Sequence, residues 1–392
     1  MVADLIELYQ DLHRNPELSL QEVRTARVLA EELRPLGYEV TTGVGGHGVV
    51  GVLRNGDGPV VMLRADMDAL PVQEKTGLPY ASTARGTDLD GNDVPLMHAC
   101  GHDMHSTCLI GAAGRLAAER QTWSGTLLVV FQPAEELARG ARAMVADGLF
   151  ERFPKPDIVL GQHVTNIPAG VIGYATGPVM SAMDSVQVTL HGRGGHGSMP
   201  DQTIDPVLMA ANVVTRLQGI VAREVPPAET AVVTVGRLRA GAKDNIIPDT
   251  AELGINLRAY SAEVRDQVRA AIERIVRAEA AASRAEREPD FDWTVSAPVM
   301  VNDPDATLTT VDAFVRHFGE QRVTEVPRQT ASEDVGVYGQ AIGVPTVFWF
   351  WGGMDGDARP SNHSPEFAPV IEPTLTTGVE ALVVAARTWL DG

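Results

Sequence analysis

The spacing of apolar residues changes character twice along this chain of 392 residues. Near the start, LIELYQDLH and QEVRTARVLAEELRPL put apolar residues three and four apart, the period of a helix with one buried face. Ser19 and Glu22 have the spacing of a capping box opening the second of these helices, and Gly37 closes it. Runs rich in Val, Leu and Ile follow at HGVVGVLRNG, PVVMLRADM, GTLLVVFQP and PDIVLGQHV. Helical patterns lie between them, at MHSTCLIGAAGRLAAER and ELARGARAMVADG. Strands this continuously apolar predict an α/β fold, a mostly parallel sheet with helices on both faces.

After Gly177-Pro178 the pattern reads strand, helix, strand, strand, helix, strand, from SVQVTLHG to FDWTVSAPV. That βαββαβ order predicts a small α+β, ferredoxin-like domain. From residue 301 the earlier style returns, with helices at DATLTTVDAFVRHFG and TLTTGVEALVVAARTWL around the strand VPTVFWFW. We therefore expect one catalytic domain, residues 1–180 and 301–392, interrupted by an inserted domain, 181–300.

Charge narrows the partners. A net charge of −19 repels nucleic acid and anionic lipid, so neither is expected. No apolar run reaches the roughly 18 residues of a membrane span. The first residues read as an amphipathic helix and not as a signal peptide, which predicts a cytoplasmic protein. Cys100 and Cys108 are too few for a disulfide framework.

Candidate chemistry concentrates at His98-Ala99-Cys100-Gly101-His102-Asp103-Met104-His105, which holds three of the chain's ten histidines. Imidazole and thiolate are preferred ligands of zinc and its neighbours. Other polar clusters end predicted strands: Asp66 and Asp68 after VVMLRA, Glu135-Glu136 after TLLVVFQP, and His163 after DIVLGQ. Asn362-His363 follows VPTVFWFW. Sites of open α/β sheets lie at the carboxyl ends of strands, so these clusters can share one rim. Singly, each has an ordinary reading: turn formers, a helix start, a loop histidine. Ser332-Glu333-Asp334 reads as a helix N-cap.

Taken together, LRADMDALP, MHACGHDMH, QPAEE, GQHV, GGHGSMP, DNIIP, SED and NHSPEF stand in the order found in the M20 metallopeptidase family. The form containing cysteine resembles its amidohydrolase branch: hippurate hydrolases, N-acyl-amino-acid aminoacylases and auxin-conjugate hydrolases. The resemblance covers essentially the whole chain and implies a zinc-exopeptidase-like catalytic domain. It implies Cys100, His102, Glu136, His163 and His363 as ligands of a binuclear centre, with Glu135 as general base. The sequence departs from the peptidase branch at Asp66, where a ligating His is usual, and at Cys100, where a bridging Asp is usual. Asp68 then resembles a carboxylate that orients a metal-bound imidazole. Two divalent ions per subunit are implied, zinc first, with manganese, cobalt or nickel as alternatives.

His196 resembles the inserted-domain histidine that polarises the substrate carbonyl, often in the other subunit, which implies a homodimer through the inserted domain. Arg258 resembles the arginine that receives the substrate carboxylate, Asn245 its polar partner, and Gly353 a backbone contact to substrate. The implied reaction is hydrolysis of N-acyl amino acids, small molecules, to free amino acid and carboxylic acid. A dipeptidase or carboxypeptidase-like activity is the alternative within the family, and a catalytically silent metal-binding protein the alternative outside catalysis.

Overall fold

A computed structural model of the chain describes residues 2–356 and 359–390. It divides into two compact units. The first comprises Met1–Val179, Val301–Arg328 and Asp334–Gly392. The second comprises Met180–Met300 and takes back the short segment Gln329–Glu333.

An eight-stranded sheet organises the first unit, in the order Glu39–Val44, Gly48–Asn55, Gly125–Gln132, Val60–Asp66, Ile158–Pro168, Thr346–Met354, Ile172–Tyr174, Val323–Glu325. The central pairings are parallel, and the Gly48–Asn55 side closes with antiparallel pairs. Apolar runs become central strands because both their faces are covered. Along Val60–Asp66, Val61, Leu63 and Ala65 join the large core that includes the helices Val23–Leu33, His102–Ala118 and Ile371–Leu390. The alternate residue Arg64 reaches Asp334, just before the helix Gly336–Ile342, so helices lie on both faces.

Several local expectations are corrected. The helix after Ser19 begins at Val23, and its N-cap Glu22 makes no side-chain cap bond; the Glu17 carboxylate accepts the Arg24 and Thr25 amides instead, at 3.0 and 2.7 Å. Ser19 and Glu22 are both drawn to partners far along the chain, so the capping box does not form. The helix predicted from Glu136 begins only at Gly140, because residues 133–139 form a turn with left-handed Ala134 and Ala138. The strand predicted to end at His163 continues to Pro168, paired with Thr346–Met354. Asp334 is not the N-cap of the helix that follows it: that position is Val335, without a side-chain bond, and Asp334 Oδ2 instead accepts the Ala141 amide in the first turn of Gly140–Ala146, at 3.1 Å.

In the second unit four antiparallel strands run in the order Ala231–Ala240, Thr250–Ala259, Ala182–His191, Asp290–Ala297. Val186, Val188 and Leu190 alternate inward along one strand. They meet Met209, Val213 and Leu217 of the helix Pro206–Arg223, and Val268, Ile272 and Ile275 of Ala262–Ala282. Both helices start where the sequence can cap them: Asp205 accepts from the Val207 amide at 2.8 Å, and Ser261 from the Val264 amide at 3.2 Å.

Candidate metal centre

The site begins where strands of the first unit run out. Val60–Asp66 delivers Asp66 and then Asp68; Gly125–Gln132 delivers the turn with Glu135 and Glu136; Ile158–Pro168 carries His163. His102 opens the helix His102–Ala118, with Gly101 as its left-handed N-cap. Gly101 is needed twice over. Its φ is +85°, and a Cβ there would sit 2.4 Å from Val164 Cγ1.

Three of the overlapping donor groups gather the predicted ligands. Cys100 lies with His102 and His163, again with Glu136 and His363, and His102 lies with Glu135 and Glu136; within each group the donor atoms fall inside 4.8 Å. Cys100 Sγ is 3.4 Å from His163 Nε2 and 3.2 Å from His363 Nε2. His363 Nε2 is 3.3 Å from Glu136 Oε1, and His102 Nε2 is 3.9 Å from both Glu135 Oε2 and Glu136 Oε1. The loop carrying His363 is docked by backbone: its amide donates to Ala99 O at 2.7 Å, and Asn362 Nδ2 donates to Val164 O at 3.1 Å.

Hydrogen bonds to the rings leave one nitrogen of each facing inward. His163 Nδ1 donates to Val164 O at 2.7 Å, which frees Nε2 toward Cys100. His102 Nδ1 donates to Asp68 Oδ1 at 3.2 Å, and its Nε2 is buried with no hydrogen-bond partner. Glu136 Oε1 is likewise without one. Buried polar atoms are ordinarily satisfied, so two orphans facing one spot fit a bound cation. The donor set of thiol, imidazole and carboxylate suits a transition-metal ion.

The protein's own field demands positive charge here. Burial pushes the Cys100 thiol up, and Glu136, Glu135 and Asp66 push it further. Burial works against a charge on His102, yet Asp66 and Asp68 outweigh it and hold the ring up to about 10. Burial lowers His163 well below the usual range.

Asp68 is a hub. Besides His102, it accepts from Ser19 Oγ at 2.6 Å and from the Glu136 amide at 3.1 Å. Sequence reasoning missed the frame beneath it. Asp66 does not stand alone: His105 Nδ1 donates to its Oδ1 at 2.5 Å while His105 Nε2 accepts the Val164 amide at 2.9 Å. Both His105 nitrogens are thus engaged by protein. The wholly buried Arg64 donates to Asp66 at 2.7 Å, to Asp334 at 3.1 Å and to Gln132 at 3.0 Å. The signals were present: Arg64 and Asp66 share a strand face at i, i+2, and His105 shares a helix face with His102 at i, i+3. His98 lies outside every donor group, buried with neither nitrogen bonded.

In the second unit, Gly195-His196 pairs with Ile246-Ile247, and the Gly197 amide donates to Asn245 O at 2.9 Å. His196 and Asn245 are therefore neighbours, both exposed. His196 Nδ1 is 2.8 Å from Ser198 Oγ. Arg258 is half-buried and already employed, donating to Thr330 O at 2.7 Å and Ser332 Oγ at 3.2 Å. Gly353 is buried inside the strand Thr346–Met354, its carbonyl taken by the Val370 amide. A Cβ there would meet Val164 Cγ2 at 2.8 Å, so close packing also favours a glycine.

The chain is similar to known proteins over nearly its full length. It is 40% identical over 337 residues to a hippurate hydrolase of Campylobacter jejuni, covering 85% of this chain and 84% of that one. It is 35% identical over 390 residues to an N-acetylcysteine deacetylase of Bacillus subtilis, covering 98% and 94%. Among solved structures, a dinuclear metal binding peptidase of the M20 family from Bacillus subtilis superposes with a TM-score of 0.79 at 30% identity, covering 100% of this chain and 98% of that one. The model of peptidase family M20/M25/M40 matches residues 62–388, and the chain belongs to that family.

Proposed function

We propose that this protein is a metal-dependent amidohydrolase that cleaves N-acyl amino acids to a free amino acid and a carboxylic acid. The observation that carries the reading is Glu135, set beside a donor cluster that has orphaned His102 and Glu136 atoms. In this reading Cys100, His102, Glu136, His163 and His363 hold two divalent ions, and Asp68 orients His102. When bound, the ions supply Lewis acidity, lowering the pKa of water and polarising a carbonyl. Glu135 takes the proton of the attacking water and delivers it to the leaving nitrogen as the C–N bond breaks. The hydroxyl goes to the acyl carbon, and the products are an acid and an amine.

His196, beside Asn245, is assigned to the carbonyl oxygen, and the N–H groups of Arg258 not spent on Thr330 and Ser332 to the substrate carboxylate. Zinc is the preferred ion because of the thiolate. A homodimer through the second unit is supported by its edge strand Ala231–Ala240 and by the exposed Val232, Leu238, Leu208 and Val207. No helix among the described residues is long and apolar enough to cross a membrane. We place the protein in the cytoplasm, whose reducing pool keeps a ligating thiol free.

The test is release of amino acid from N-acetyl, N-benzoyl and long-chain acyl amino acids, with dipeptides beside them, before and after chelation and metal return. Chelator-sensitive release from acyl amino acids, restored by a divalent ion, supports the reading. Release from dipeptides alone overturns it in favour of a peptidase.

A further inference from the structure

The segment Glu17–Glu22 precedes its helix and lies far in sequence from every candidate ligand, yet it is wired into both loops of the site. Glu17 O accepts the Ala69 amide at 2.8 Å, and Ser19 Oγ donates to Asp68. Glu22 is 0% exposed, and its Oε1 accepts two backbone amides, Leu20 at 3.0 Å and Ala134 at 2.8 Å. Both of those residues are left-handed without being glycine, at φ +68° and +50°. Such a backbone persists only where its surroundings hold it. Ala134 is the residue before Glu135-Glu136, and the Glu136 amide is itself held by Asp68. The first half of the turn is thus held at two amides, by Glu22 on that of Ala134 and by Asp68 on that of Glu136. Glu22 Oε2 makes no hydrogen bond, so a single oxygen performs the fastening.

We propose that Glu22 is a positioning residue for the Glu135-Glu136 turn. It locks Ala134 in its left-handed conformation, and that sends two consecutive carboxylates to different tasks. Ser19, by fixing Asp68, secures the second of these two amides. Freed from Glu22, Ala134 relaxes toward ordinary backbone angles and swings Glu135 off the water. The inference rests on the roles given to Glu135 and Glu136 above, and its physical core, the fastening of the Ala134 amide, can be measured without them.

Three variants separate acceptor, charge and reach. Glu22→Gln keeps a carbonyl oxygen at the same reach and places its amide nitrogen where Oε2 stands. Glu22→Met keeps the volume and removes the acceptor. Glu22→Asp keeps the charge and loses one methylene of reach. Each is followed by hydrogen exchange of the Ala134 amide, calorimetric titration of the metal-free protein with Zn²⁺, thermal unfolding, and kcat and KM on the best acyl amino acid. We expect Glu22→Met and Glu22→Asp to lose Ala134 protection and about 100-fold in kcat with KM within about twofold, as misplacement by an ångström does. Their zinc affinity falls by about tenfold, the scale of a disturbed supporting contact. Glu22→Gln stays within about threefold on every readout. If Glu22→Met fails to fold, Glu22→Asp against Glu22→Gln carries the comparison. Full Ala134 protection and wild-type kcat in Glu22→Asp overturn the proposal, as does a Glu22→Gln as impaired as Glu22→Met. If the wild type hydrolyses nothing, the functional reading fails, while amide exchange and zinc titration still decide whether Glu22 holds the turn.

Discussion

His13 Nδ1 lies 2.6 Å from Asp103 Oδ2, joining the first helix to the opening turn of the helix that carries His102. On the other side of the ring, Nε2 is 3.1 Å from Glu74 Oε1. A ring between two carboxylates is an imidazolium. Burial works against that charge, but Asp103 and Glu74 outweigh it and hold His13 up to about 9. Tyr9 and Tyr80 pack against the same ring, and Asp103 also faces His98.

The sign of the resulting pH dependence follows. The folded pKa of His13, about 9, exceeds its ordinary value of 6.5. Its stabilising effect is therefore complete below pH 6.5 and disappears as pH rises through 9. The full effect is on the order of 3 kcal/mol. Thermal midpoints of metal-free wild type and His13→Gln, measured from pH 6 to about 10, should converge toward the alkaline end. A gap that stays constant with pH would show that the ring is neutral throughout.

Glu135→Gln should lower kcat by about 10²- to 10⁴-fold, the usual worth of a general base. KM and zinc affinity should change little, because the neighbouring Glu136 is untouched. Steady-state kinetics beside a zinc titration check this, and a variant with full activity would remove Glu135 from the mechanism.

Chelation should destabilise the protein as well as silence it. Asp66, Asp68, Glu135 and Glu136 converge on His102, and removing the cations leaves these carboxylates facing one another. A metal present at about 100 times its Kd adds about 2.7 kcal/mol. Calorimetric scans with and without chelator should show a lower midpoint without metal. Equal midpoints would mean that the cluster holds no ion.

Gly101→Ala should cost about 2 kcal/mol or more, from the left-handed backbone and the collision with Val164 together. Because Gly101 sits between Cys100 and His102, zinc affinity should fall with stability. Denaturant midpoints and zinc titration of the variant measure both. Unchanged stability would mean that Val164 yields without consequence.

What the sequence made legible was whatever local pattern decides. Central strands announce themselves because both faces are apolar, Glu136 stands out because polar residues end such strands, and His102 because three histidines crowd into eight residues. What stayed hidden depends on distant partners. Ser19 and Glu22 carry the spacing of a cap, yet Asp68 and the Ala134 amide claim them instead, a choice no local spacing encodes. Arg64 looks like an ordinary strand residue until Asp334, 270 positions later, closes on it. The strand Glu39–Val44 escaped notice because it sits at the sheet edge and shows one nearly polar face. Gly353 is expected from the sequence to offer a backbone contact to substrate, and its neighbour Val164, invisible to local pattern, also bars a side chain there.

The donors proposed for the centre come from a helix start, turns and strands between residues 100 and 363. No stretch of chain short of that span possesses the site. During synthesis or refolding, Cys100, His102, Glu136 and His163 wait on the strand Thr346–Met354, whose far end leads to His363. On the proposed assignment, full metal capture is therefore a late event and a signal of completion: two ions held by these donors would require that the first unit has closed across the interruption in its sequence.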